Sequence, residues 1–146
     1  MYHVLVPIDE NEDRAESQIE TLRGLADAID SLKVDLLHVY EEIDSPADEA
    51  GSHYINAVNR NIVDLQGLPD TVEEVRDALQ EMGATTEVHD VRGDPGIAIT
   101  ELAEEYDVDT IVLGTRKRTP VGKVLFGSVA QSVILESDRP VMVAAA

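Results

Sequence analysis

Gly114, Thr115, Arg116 and Lys117, then the nine residues Arg118 to Phe126, then Gly127, Ser128 and Val129 combine residue types and spacing that point to chemistry. Between Thr110 and Leu135 there is no Asp or Glu, while Arg116, Lys117, Arg118 and Lys123 place four of the chain's 11 Lys and Arg residues close together. Glycines at positions 114, 122 and 127 punctuate the run. In a chain of formal net charge −19, such a cationic stretch reads as a place where an anion, above all a phosphate, is held. Gly127 lets backbone approach a ligand, the Ser128 hydroxyl can donate a hydrogen bond, and the amides of Ser128 and Val129 are free because they open a helix. Together they make a phosphate cradle. The plainer reading is a solvated turn that offsets an acidic surface; position, glycines and helix start favour the anion site.

Other candidates are weaker. Asp9 is the first polar residue after an apolar run, and either meets a ligand or caps the helix that follows. The histidines at positions 3, 38, 53 and 89 lack a paired spacing such as His-x-x-x-His, so they read as structural and no metal site is expected. Acidic pairs such as Glu73-Glu74 and Glu104-Glu105 read as solvated helix surface. Ser128 has no neighbouring His and no Gly-x-Ser-x-Gly elbow, so no catalytic residue is evident and any hydrolysis of a bound phosphate compound is expected to be slow. Gly122-Lys123-Val124 is not the end of a P-loop, because the Ser or Thr is missing and Lys117 stands where the earlier glycine is required.

The elements that must position these residues alternate along the chain. Tyr2 to Ile8 is an apolar run suited to a buried parallel strand, and further strands are expected at about 34–40, 85–91, 110–113 and 140–143. Ala15, Ile19, Leu22, Ala26 and Ile29 recur at helical spacing, with Glu12 and Asp13 in the first turn. A helix capped by Asp70 carries Val72, Val75 and Leu79 and ends at Gly83. Another follows the turn Gly93-Asp94-Pro95, and a last one runs over 128–136 with Val129, Ser132 and Val133 inward. Residues 41–70 begin with an acidic, Pro-containing piece, and Asn56 to Val63 within them are read as either a short helix or a mobile loop. This alternation predicts an α/β fold, an open five-stranded parallel sheet with helices on both faces, and a ligand crevice where the strand order reverses. If the first strand neighbours the fourth there, Asp9 and Gly114 line one crevice.

The spacing from Gly114 through Lys117 to Gly127-Ser128 resembles the phosphate loop of the universal stress protein family: Gly, two residues, Gly, nine residues, Gly, Ser or Thr. Val4 to Asp9, Leu36 to Val39, Gly93-Asp94-Pro95 and Arg139 to Val143 are similar to the family's opening strand, second strand, post-strand turn and closing strand. The resemblance implies a Rossmann-like, adenine nucleotide α-hydrolase-like fold of strand order 3-2-1-4-5, with residues 1–146 as one domain. It implies a nucleotide site formed by Pro7, Ile8, Asp9, Val39, Gly114, Thr115, Arg116, Lys117, Gly127, Ser128 and Val129, holding ATP with Mg or Mn or another adenine nucleotide. It implies a homodimer joined through the C-terminal edge strand, and a role as a stress-response sensor or switch. Lys117 departs from the pattern at its second glycine; charge can there replace amide contacts. The alternative is a homodimeric interaction protein that takes another anion or nucleotide instead of ATP. A nucleotide-using transferase of similar fold is a third reading, without catalytic residues to support it.

Composition bounds the partners. With 30 Asp and Glu against 11 Lys and Arg, nucleic-acid binding is disfavoured, and the 43% hydrophobic content marks a folded acidic protein rather than a disordered tail. The absence of cysteine and of an apolar leader or span leads to an expected cytoplasmic location with no membrane partner. So acidic a surface suggests adaptation to a salt-rich cytoplasm, where ions screen the repulsion among carboxylates. The protein partners are not legible.

Overall fold

A computed structural model describes residues 1–40, 58–60, 67–115 and 126–145. Strand β1 (Tyr2–Pro7) leads through helix α1 (Glu12–Ala28) to β2 (Leu32–Tyr40). A short strand β3 (Val58–Arg60) precedes α2 (Asp70–Glu81), β4 (Thr85–Arg92) and α3 (Pro95–Glu105). Then come β5 (Thr110–Gly114), α4 (Ser128–Glu136) and β6 (Val141–Ala144). The sheet order is β3-β4-β2-β1-β5-β6. Its five parallel strands follow the expected 3-2-1-4-5 order, and β3 adds an antiparallel edge by pairing Val58 with Asp90 and Arg60 with Val88.

Alternation along β1 divides the core. Val4 and Val6 point into one apolar layer with Leu22 of α1 and Val75 of α2; Leu5 points into the other with Leu102 of α3 and Val133 of α4. A central strand must therefore be apolar on both faces, which is why Val4, Leu5 and Val6 are continuous and fully buried. Among the described residues no helix is long and apolar enough to cross a membrane.

Local chemistry sets the helix ends. Asn11 caps α1 by accepting a 2.9 Å hydrogen bond from the Arg14 amide. Asp94 caps α3 through the Ile97 amide at 3.1 Å, with Pro95 in the first turn where its missing N–H costs nothing. Several expectations need correction. Asp70 is the first residue of α2, whose cap position is Pro69 and has no side-chain cap bond. Ile29 lies just past α1 in extended conformation. On α4 the buried pair is Ala130 and Val133, while Val129 is 36% exposed because its side of the helix faces a cleft rather than the core. Val58–Arg60 is neither helix nor loop, since Thr85–Arg92 offers a free ladder edge for it.

Candidate functional site

The chain builds the sheet from β1 through β2 to β4, then crosses to the other side of β1 for β5 and β6. Connections leaving β1 and β5 therefore diverge, and a crevice opens between their carboxyl ends. It is a cleft of ≈ 320 Å³, within the size range of small-molecule sites. From the β1 end come Pro7, Ile8 and Asp9; β2 supplies Val39; the β5 end gives Gly114 and Thr115; the start of α4 gives Gly127 and Val129. Eight positions picked out in the sequence thus meet around one cleft. Ser128 opens α4 between two wall residues but is itself exposed and not part of the wall. Arg116 and Lys117, with Arg118 and Lys123, lie outside the described residues.

Two wall residues, Arg14 and Gln18, escape a sequence reading. The parallel ladder of β1 with β5 runs through Val4↔Thr110 and Leu5↔Ile111. Beyond it Gln18 of α1 takes over as a bridge: its Nε2 donates to the Pro7 carbonyl at 2.8 Å and to the Val112 carbonyl at 3.2 Å. Gln18 is 2% exposed, and its amide ties the end of β1 to β5 where the ladder between them stops. Gly114 permits the close approach of α1, since a Cβ there would lie 3.0 Å from the Cβ of Arg14 and 3.3 Å from Cδ of Gln18. The signal was present as two polar residues, i and i+4, beside the apolar positions Ala15 and Leu22.

Asp9 has structural partners as well as a place in the wall. Its Oδ1 accepts from the Asn11 amide at 2.9 Å, its Oδ2 lies 3.2 Å from Nη1 of Arg14, and its carbonyl accepts from the Thr71 hydroxyl at 2.5 Å. The carboxylate thus forms the turn into α1 while Arg14 offsets its charge. A second cavity of ≈ 630 Å³ shares Ile8, Asp9 and Val39 with the first and is walled further by Glu10, Glu12, His38, Tyr40 and Asp70. One end of the combined trough is therefore acidic, and the other carries backbone, glycine and Arg14.

The strand histidines have distinct surroundings. His3 on β1 and His89 on β4 both bind the buried Asp35 carboxylate of β2, His89 at 2.9 Å, and the His89 ring packs against Tyr106. Burial alone would raise the Asp35 pKa, but hydrogen bonds from His89 and His3 and their charges outweigh it and hold the carboxyl below its ordinary value of 3.8. His38 is shifted downward from 6.5 because burial disfavours its cation more than Asp90, Glu10 and Asp9 favour it. Both groups have depressed folded-state pKa values, so each contributes stability above its unfolded value and loses it as pH falls. The urea midpoint is expected to decline below about pH 6.5 through His38 and again below about pH 4 through Asp35. His38→Gln should flatten the first decline alone; an unchanged profile in that variant would remove His38 as its source.

The open sheet with a crevice at its order reversal places the molecule among the doubly wound α/β proteins whose ligands bind at the carboxyl ends of strands. The universal stress protein family model matches residues 1–145, and the chain belongs to that family. It is 25% identical to a universal stress protein of Methanocaldococcus jannaschii over 151 aligned positions, covering 96% of this chain and 92% of that one. The stress response protein NhaX of Bacillus subtilis is 34% identical over 74 residues, and the match spans less than half of it, 45%. A universal stress protein structure from Archaeoglobus fulgidus superposes with a TM-score of 0.71 at 28% identity, over 98% of both chains. Another from that organism, in complex with dAMP, has the same fold: TM-score 0.67, 24% identity, 98% of this chain and 97% of that one.

Proposed function

We propose that this chain binds an adenine nucleotide, ATP included, in the cleft between β1 and β5, and that nucleotide state switches its surface for partners in a stress response. The observation that carries the reading is Gly127. Its φ of −73° and ψ of 172° suit any residue, and a Cβ there would meet nothing within 4 Å among the described residues. Folding makes no demand for glycine at this point, whereas a phosphate brought against the first amides of α4 would. The dAMP bound by the Archaeoglobus fulgidus protein of the same fold supports an adenine nucleotide as the ligand class.

Charge fixes the orientation. Phosphates belong beside Gly114, Gly127 and Arg14, because Glu10, Glu12 and Asp70 around the adjoining cavity repel them. The base and ribose then lie toward Val39 and Asp9. Asp9 is the carboxylate in the cleft wall among the described residues, and both its oxygens have protein partners. A Mg or Mn ion would accordingly travel on the nucleotide's own phosphates and water. Gly114, Thr115, Gly127, Ser128 and Val129 would hold the phosphates, joined by Arg116 and Lys117 of the neighbouring segment. Within the same proposal, β6 pairs with its counterpart in a second copy, since it ends the sheet with Val141, Met142 and Val143 only partly buried.

Calorimetric titration of the chain at high salt with AMP, ADP and ATP tests the reading. Saturable binding of at least one is expected, and no heat with any of them would end it.

A further inference from the structure

We propose that Arg14 is a specificity residue that strengthens the preference of this cleft for phosphorylated adenine nucleotides over the bare nucleoside, an inference that rests on the nucleotide reading above. Arg14 stands on the first turn of α1, packed over Gly114 at the carboxyl end of β5. A Cβ on Gly114 would approach its Cβ to 3.0 Å, so glycine at the β5 end is what gives the arginine stem its place in the wall. One arm of the guanidinium is anchored: Nη1 lies 3.2 Å from Oδ2 of Asp9. The Nε is buried and has no hydrogen-bond partner among the described residues.

That Nε is closed to solvent, so a ligand in the cleft meets the guanidinium through the rest of the head, in a side chain that is 30% exposed. The guanidinium fork suits a phosphate, which presents several oxygens to one planar donor set. Asp9 and Arg14 are the charged side chains in the cleft wall among the described residues, and they offset each other. That pairing prevents Asp9 from expelling an anion and at the same time holds the Arg14 head in the cleft. Arg14, Thr115, Gly127 and Val129 line one cleft, so a phosphate against the first amides of α4 shares that space with the guanidinium. Neutral adenosine lacks such a group and gains nothing from Arg14.

The test is titration of wild type and Arg14→Gln with AMP and with adenosine, together with urea midpoints for both proteins. Wild type is expected to bind AMP more tightly than adenosine, and Arg14→Gln to reduce that preference by about tenfold to a hundredfold, the range for a charge-assisted hydrogen bond. Arg14→Lys keeps charge without the fork and should retain part of the preference; it is the variant to read if the midpoint shows Arg14→Gln unfolded. An AMP to adenosine ratio unchanged in a folded variant overturns the role of Arg14 and leaves the nucleotide reading standing. Wild type that binds AMP no more tightly than adenosine also overturns the role of Arg14, and binding of none of AMP, ADP and ATP overturns the nucleotide reading with it.

Discussion

Gly127→Asp is expected to abolish nucleotide binding without lowering the stability of the fold. The backbone at Gly127 already has the extended geometry of a helix cap, and the position lacks a side-chain cap bond. Aspartate is a preferred residue there, and among the described residues nothing lies within 4 Å of where its Cβ would be, so stability should hold or rise by about a few tenths of a kcal/mol. Binding responds in the opposite direction. The new carboxylate would bond to the first amides of α4, the donors a phosphate needs, and would stand as a negative charge in the cleft wall. At about 5 Å and an effective dielectric constant of about 20, one charge repels another by about 3 kcal/mol, roughly a hundredfold in affinity. Titration with ATP and AMP, run beside urea unfolding, separates the two effects. Unchanged affinity would mean that the start of α4 is not where the anion lies; a midpoint that falls with the binding would reduce the result to misfolding.

That separation of folding from binding also explains what could be read in advance. Strands β1 and β5 were legible as apolar runs, and β2 and β4 by their polar or turn-forming flanks, whereas the strand order came with the family resemblance. Gly114, Gly127 and Asp9 stood out because they sit at strand and helix ends, where ligands of such folds bind. Strand β3 was illegible: three residues, Val58–Arg60, have no period to detect, and the edge they pair with is supplied by distant β4. Arg14 and Gln18 were hidden for another reason. A helix stripe is recognised by its apolar members, so a polar residue on the buried side reads as surface until the opposing strand ends are in place. The cation of the described cleft accordingly comes from α1, whereas sequence reasoning drew attention to the arginines and lysines that follow β5.

Gln18 is where this hidden side of α1 has its largest expected effect on stability. Gln18→Leu keeps nearly the same volume but removes the Nε2 donor from both the Pro7 and Val112 carbonyls. A buried acceptor left without a partner costs about 1–3 kcal/mol and the Val112 bond is the buried one of the two, so the variant should lose about 1–3 kcal/mol in urea unfolding. Gln18→Glu tests the direction of those bonds. Its carboxylate would face two carbonyl oxygens at the sites where the amide now donates, and only the protonated acid could replace one bond. Its destabilisation relative to wild type should therefore grow as pH rises from about 5 to 8, opposite in sign to the wild-type contributions of His38 and Asp35. Because the same bridge sets the spacing of β1 and β5 at the cleft, folded Gln18→Leu should also bind nucleotide less tightly. A Gln18→Leu protein within about 0.5 kcal/mol of wild type would show that water or a small backbone shift pairs those carbonyls, and that the mouth of the crevice is held open by the sheet itself.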